Sequence, residues 1–188
     1  MRAAALLAVF ASACLPGGRE GVVHRNAEYG IETRFPTGIR VCTALSGYHP
    51  IGFYGWLDRS TDCDMPRSAG TSSISITASY NAAFQTGPDA YSCRDGSRPV
   101  QLDLEGVAFP NFPSLRCSVR EEDGTIHVHV AAQGGRWKDS DLPPELRGKS
   151  RVFYNAWLQS VPARIGADLA AFRLTLAQTK LSPPEQDF

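Results

Sequence analysis

A chain of 188 residues is the size of one domain. Its 19 Lys and Arg balance 19 Asp and Glu. There is no basic excess of the kind that displaces counterions from nucleic acid, so nucleic acid is excluded as an expected partner.

The chain opens on Met1-Arg2, a minimal basic end, and residues 3–13 are apolar except for Ser12. That run is too short to cross a bilayer as a helix, which takes about 20 apolar residues. It has the length of a signal-peptide core and lacks the periodicity of an amphipathic helix. Ala11, Ser12 and Ala13 supply small residues ahead of a cleavage site, and Leu15-Pro16-Gly17-Gly18 breaks any helix beyond it. The expectation is export, with a signal peptide over 1–13 and a linker over 14–21. No later stretch is long and apolar enough to span a membrane.

Residues 22–26 form a short extended candidate. Residues 29–35 and 39–45, on either side of Pro36-Thr37-Gly38, read as the two strands of a hairpin. The segment 46–58 reads as irregular and is rich in rings: Tyr48, His49, Phe53, Tyr54 and Trp56. A polar loop over 61–72 holds Cys63. Residues 73–80 alternate, with Ile74, Ile76, Ala78 and Tyr80 on one side and Ser73, Ser75, Thr77 and Ser79 on the other, the pattern of a half-buried strand. Residues 81–91 are a short helix or an irregular excursion. Val100, Leu102 and Leu104 alternate as a further strand. Residues 114–120 and 125–132 read as a hairpin closed by Glu121-Glu122-Asp123-Gly124. A polar excursion over 133–150 precedes a strand over 151–159.

Ile165, Leu169, Phe172 and Leu176 recur at helical spacing and form one face. Ser160 is the expected N-cap, with Pro162 in the first turn and Ser182-Pro183 as the stop. The fold class is therefore α+β: an antiparallel β-sheet with a C-terminal helix packed on one face. It forms a single disulfide-stapled domain over 22–181 with a loose tail over 182–188.

Two resemblances attach to particular residues. Tyr29-Gly30-Ile31-Glu32-Thr33-Arg34-Phe35-Pro36, a Tyr-Gly strand running into an aromatic-Pro turn, resembles the opening of the photosystem II extrinsic subunit P-like sandwich family. The closing strand and helix over 152–181 fit that family's end. The likeness covers the two ends of the chain and not its middle. The Trp that commonly follows the Pro turn is replaced by Val41 or a neighbour, and the cysteine pattern is not the family's. It implies a sheet packed with helices and no particular activity. Ala11-Ser12-Ala13-Cys14 resembles the bacterial lipoprotein box, in which a small residue precedes a cysteine that receives diacylglycerol. Ala11 stands where that box usually has Leu. The resemblance implies lipidation at Cys14 and a periplasm-facing protein anchored to a membrane of a Gram-negative bacterium. Ordinary cleavage after Ala13 is the alternative and leaves a free N-terminal thiol.

Five cysteines are an odd number, and setting Cys14 aside leaves Cys42, Cys63, Cys93 and Cys117. Four cysteines allow three pairings. Cys42–Cys63 and Cys93–Cys117 close the shortest loops and tie irregular segments to strands.

Chemistry is sparse. His127 and His129 lie two apart on a strand and so share a face, as some metal ligands do. Two ligands do not make a site, and the plainer reading is a solvated pair opposite Ile126, Val128 and Val130. Asp58, Asp62 and Asp64 lack the spacing of a calcium loop. No Ser sits in Gly-x-Ser-x-Gly, and the cysteines are more simply paired than nucleophilic. No metal, cofactor or catalytic group is expected. What remains is surface: Tyr48, His49, Tyr54, Arg136 and Trp137 are the expected partner-binding residues, since Trp, Tyr and Arg dominate interface energetics. The leading expectation is a non-enzymatic envelope protein that binds another protein in the periplasm, as an immunity or inhibitor protein against a hydrolase. An envelope scaffold or assembly lipoprotein near the cell wall is the alternative, and an unrecognised hydrolase the third.

Overall fold

The structure is a computed structural model that describes residues 21–43, 51–57, 63, 70–80, 98–120, 123–136, 144 and 151–182. Within these, the elements in chain order are β1 (Val23–Asn26), β2 (Ile31–Arg34), β3 (Arg40–Thr43), β4 (Ile51–Trp56), β5 (Ser73–Tyr80), β6 (Arg98–Pro99), β7 (Ser114–Arg120), β8 (Ile126–Arg136), β9 (Arg151–Ser160), α1 (Ile165–Ala177) and β10 (Lys180–Leu181). Seven strands form one sheet in the order β3-β4-β5-β9-β8-β7-β6, and three form a second in the order β1-β2-β10. The pairings are antiparallel throughout. This is the expected α+β architecture, with its one helix, among the described residues, at the C-terminal end.

The core follows from period two. On β5, Ile74, Ile76 and Ala78 turn to one face, and the register carries that face across the sheet. Phe53 lies opposite Ile76, Ile76 opposite Ala156, and Ala156 opposite Val130. Leu158, Tyr154, Val152, Val128 and Ala132 complete a buried apolar floor. Each Ile, Leu, Val or Phe among them contributes about 1.5–3 kcal/mol on full burial. Helix α1 packs on this floor against β9 and also touches β2, burying Leu169, Phe172 and Leu176, three of the four residues of its expected face. Beside the helix, Val107 and Phe109 are buried in the same cluster, with Leu102, Leu104 and Phe112 packed against it. Arg173 Nε donates to the Glu105 carbonyl (2.9 Å) and Arg116 to that of Leu104 (2.9 Å), so two guanidinium groups hold this roof in place.

The small sheet is tied to the large one and to the end of the helix by buried polar contacts. Tyr154 Oη donates to the Tyr29 carbonyl (2.6 Å). Thr179 Oγ1 donates to the Thr175 carbonyl (2.8 Å), which leaves Thr33 Oγ1 as donor to Thr179 Oγ1 (2.8 Å). Gly30 is required where it stands. Its φ is +64°, and a Cβ there would lie 1.6 Å from the Ser182 carbonyl oxygen, whose own N–H donates back to Gly30 (2.8 Å).

Several expectations are corrected. Residues 29–45 do not form a hairpin: β2 pairs with β1 and β10, while β3 joins the other sheet beside β4. The turn exists, with Ile39 N–H donating to the Pro36 carbonyl and Gly38 at φ +87°. It carries the chain from one sheet to the other because Phe35 and Ile39 both settle on bare Gly55, where a Cβ would meet them at 2.7 and 2.6 Å. Residues 51–56 are a regular strand rather than an irregular loop, and Phe53 and Trp56 are buried in it. Leu102 and Leu104 lie outside any strand, because β6 stops at Pro99. Residues 133–136 extend β8 past a register shift instead of beginning an excursion. Ser160 is not the N-cap. Arg164 holds that position without a side-chain cap, Pro162 precedes the helix, and Ser160 Oγ instead donates to the buried Asp168 carboxylate (2.7 Å). The helix ends at Ala177, and Lys180 and Leu181 return to pair with Glu32 and Ile31.

Candidate functional site

The second face of the large sheet departs most from the sequence reading. Alternation assigns Ser73, Ser75 and Thr77 to solvent, yet all three are buried, as are Asn155, Phe153 and Ala131 on neighbouring strands. Strand β5 lies between β4 and β9, and β9 between β5 and β8, so both are central, and the burial of residues of both parities shows that both of their faces are covered.

Pairing builds one continuous row across this second face. Cys42 lies opposite Tyr54, Tyr54 opposite Ser75, Ser75 opposite Trp157, Trp157 opposite His129, and His129 opposite Cys117. Both ends are disulfide-bonded. Cys42 is joined to Cys63 with their Cα atoms 5.7 Å apart. Cys117 is also in a disulfide, and its partner lies outside the described residues. The expected pairing of Cys42 with Cys63 is therefore present, on the same face as the second staple.

His129 is the most unusual group in the row. Its ring stacks on Trp157 at a centroid distance of 3.7 Å and an interplanar angle of 8°, and it is 1% exposed. Nε2 lies 3.0 Å from Asn155 Oδ1. A carbonyl oxygen only accepts, so Nε2 carries the proton and Nδ1 presents a lone pair. Nδ1 is buried and has no hydrogen-bond partner. Burial pushes the imidazole down to about 4, outweighing the bond to Asn155, which raises it. His129 is thus neutral near pH 7 and too weakly basic for general-base catalysis there. Trp56 Nε1, on the same face, is also buried without a partner. Its ring meets Tyr54 edge-on at 5.8 Å, and Tyr54 Oη donates to the Cys63 carbonyl (2.8 Å).

The two histidines do share a face, but they are not the solvated pair the sequence suggests. His129 is buried because its face is, and His127 is half-buried and engaged in an interaction of its own. Among the described residues no group of three His, Cys, Asp or Glu side chains is placed to hold a metal ion. Of the expected partner-binding residues, Tyr54 is half-buried with its hydroxyl committed to Cys63. Arg136 closes β8 opposite Arg151. Tyr48, His49 and Trp137 lie outside the described residues, as do Cys14, Cys93, Asp58, Asp62, Asp64, Glu121 and Glu122. The sequence reading missed Trp157 and Asn155. The signal was present in β9, where the rings of Phe153 and Trp157 alternate with Val152, Tyr154, Ala156 and Leu158, so that each parity carries large apolar side chains.

A second feature lies where β1 and β3, edge strands of the two sheets, approach across the Pro36–Gly38 turn. A cavity of about 510 Å³ opens there, lined by Val22, His24, Phe35, Pro36, Ile39 and Val41 among others. His24 packs its ring edge-on to Phe35 (5.9 Å) and against Phe53 (5.5 Å), and burial lowers its pKa. Val22 is 75% exposed at the rim.

Comparison with known proteins adds no relative. No family model, no curated protein and no solved structure matches this chain.

Proposed function

We propose that the chain is an exported, lipid-anchored envelope protein that acts by binding another protein, as an immunity or inhibitor protein against a periplasmic hydrolase. The observation that carries this reading is the oxidised state of Cys42 and Cys117, which fix the two ends of one row on one face of the sheet. Disulfides persist in exported proteins and are rare where thiols are kept reduced. A leader of signal-peptide type before Cys14 agrees with that compartment. The kinship proposed for the two chain ends is compatible with their meeting through Tyr154 and Tyr29 and through Thr179 and Thr33.

Binding is suggested by the residue types carried in two connections. The connection 44–50, which carries Tyr48 and His49, leaves β3 and returns as β4. β3 also contributes Val41 to the apolar cavity, and Val22 stands exposed beside it. The connection between β8 and β9 carries Trp137 immediately after Arg136.

Two experiments test the two halves. Intact-mass analysis of the membrane-extracted protein is expected to show an N-terminal Cys14 peptide carrying acyl mass. An unmodified Cys14 in a soluble periplasmic product would remove the anchor and leave export standing. For binding, Tyr48→Ala and Trp137→Ala are expected to leave the melting temperature within a few degrees of wild type. Each should weaken capture of the envelope partner about 30-fold, the equivalent of about 2 kcal/mol at an interface anchor. A large drop in melting temperature would place those rings in the core, and normal capture by both variants would place the binding face elsewhere.

A further inference from the structure

We propose that His129 is an acid-sensitive latch: proton uptake at Nδ1 breaks the stack on Trp157 and loosens the β8–β9 pairing on the second face, while the disulfides at the two ends of the row keep the rest of the chain folded. The geometry supplies each part. Nδ1 is buried and has no partner, so a proton placed on it becomes a buried donor with nothing to accept its hydrogen bond. The ring cannot move to water without leaving Trp157, on which it lies nearly parallel at 3.7 Å. Its other nitrogen is already committed to Asn155 on the same partner strand.

Among the described residues, the groups that face the ring from the neighbouring strands offer a cation little. From β7 they are Leu115, Val119 and Cys117, the last in a disulfide that does not titrate. From β9 they are Asn155, Trp157 and Gln159. On β8 itself the nearest titratable group is His127, two residues away, whose own protonation would add a like charge. The carboxylate of the exposed Asp123, at the strand's start, senses His127. Among the described residues no acid faces His129. The bond to Asn155 and the π face of Trp157 both favour an imidazolium, and burial, the larger effect, lowers His129 against the bond to Asn155.

The direction in pH follows by linkage. The folded imidazole titrates at about 4, below the 6.5 of an exposed one. The opened form therefore takes the proton first, and the stability this ring contributes is complete above about pH 6.5 and is lost as pH falls toward 4. Between pH 7.5 and pH 5 the opening equilibrium rises about 30-fold.

The test uses the mature protein with both disulfides intact. Amide protection factors for 128–132 and 154–158 are expected to fall about 30-fold between pH 7.5 and 5 while the far-UV circular dichroism stays constant. In His129→Gln, which has no titratable ring, they are expected to stay flat over that range. Should His129→Gln not fold, the wild-type ring is followed by NMR, and its titration is expected to coincide with the loss of protection. Flat protection in the wild type, an equal fall in His129→Gln, a ring that titrates without loss of protection, or far-UV signal lost in step with protection would each overturn the latch.

Discussion

Replacing the Cys42–Cys63 bridge by two alanines is expected to lower the unfolding free energy by about 3 kcal/mol, the chain-entropy value for a closed loop of this length. The two residues are 21 apart in sequence. Beyond the loop, the bridge guards an edge. β3 has four residues, pairs with β4 alone, and holds Cys42 buried in its middle. Without the bridge that edge has only its ladder, and Tyr54 Oη loses the fixed position of the Cys63 carbonyl it bonds. The double variant is the right comparison, because a single replacement would leave a thiol able to exchange with the second disulfide. Urea denaturation of both proteins without reductant measures the difference. A change below about 1 kcal/mol would mean that the edge is held by packing instead. Full reduction of the wild type is expected to cost more than the double variant does, since Cys117 is bonded as well. Domains of this size are commonly stable by about 5–15 kcal/mol, so two such losses approach the whole. Non-reducing peptide mapping is expected to recover Cys117 linked to Cys93, and recovery with any other cysteine would overturn that pairing.

The parts of the fold that could be read from the sequence are those in which local pattern and burial agree. β5 alternates and buries Ile74, Ile76 and Ala78 as expected. β7 and β8 close through an acidic loop ending in Gly124 at φ +85°. The helix buries the face its spacing marks. Pairing between distant segments was not readable. Pro36-Thr37-Gly38 says that the chain turns, and says nothing of which sheet each side joins. β10 is two residues long and acquires its meaning only from β2, on the far side of the chain. Ser160 looked like a cap because Ser commonly is one, but its hydroxyl is taken by Asp168. The second face was misread for a related reason. Small hydroxyl residues on alternate positions signal solvent in a one-sided sheet, whereas β5 and β9 are covered on both sides. Once Phe153 and Trp157 are read as a second set of large apolar side chains in β9, His129 is placed against one of them, opposite Trp157.

Phe172→Ala is expected to be the most damaging single substitution in the helix, at about 3–5 kcal/mol. Little in α1 holds it as an isolated helix. It has 13 residues, no side-chain cap at Arg164 and no basic residue in its last turn, and an isolated helix of that length is marginal in water. Gly166 in the first turn costs up to about 1 kcal/mol relative to Ala. Its stability therefore comes from the sheet beneath it. Phe172 sits between Leu169 and Leu176 on the buried face and is fully enclosed. Truncating it leaves a ring-sized cavity between the helix and a sheet too well paired to collapse into it. The damage should spread, because the helix runs almost directly into Lys180 and Leu181, which complete the small sheet against β2. Leu174→Ala is the matched control, since its side chain is 46% exposed on the same helix and the new residue is the same. Surface changes of this kind usually stay within about 0.5 kcal/mol. Paired urea titrations of the two variants give the comparison. If Phe172→Ala falls within about 1 kcal/mol of Leu174→Ala, α1 is held by its polar contacts, Ser160 and Arg164 to Asp168 and Thr33 to Thr179, and not by the apolar face.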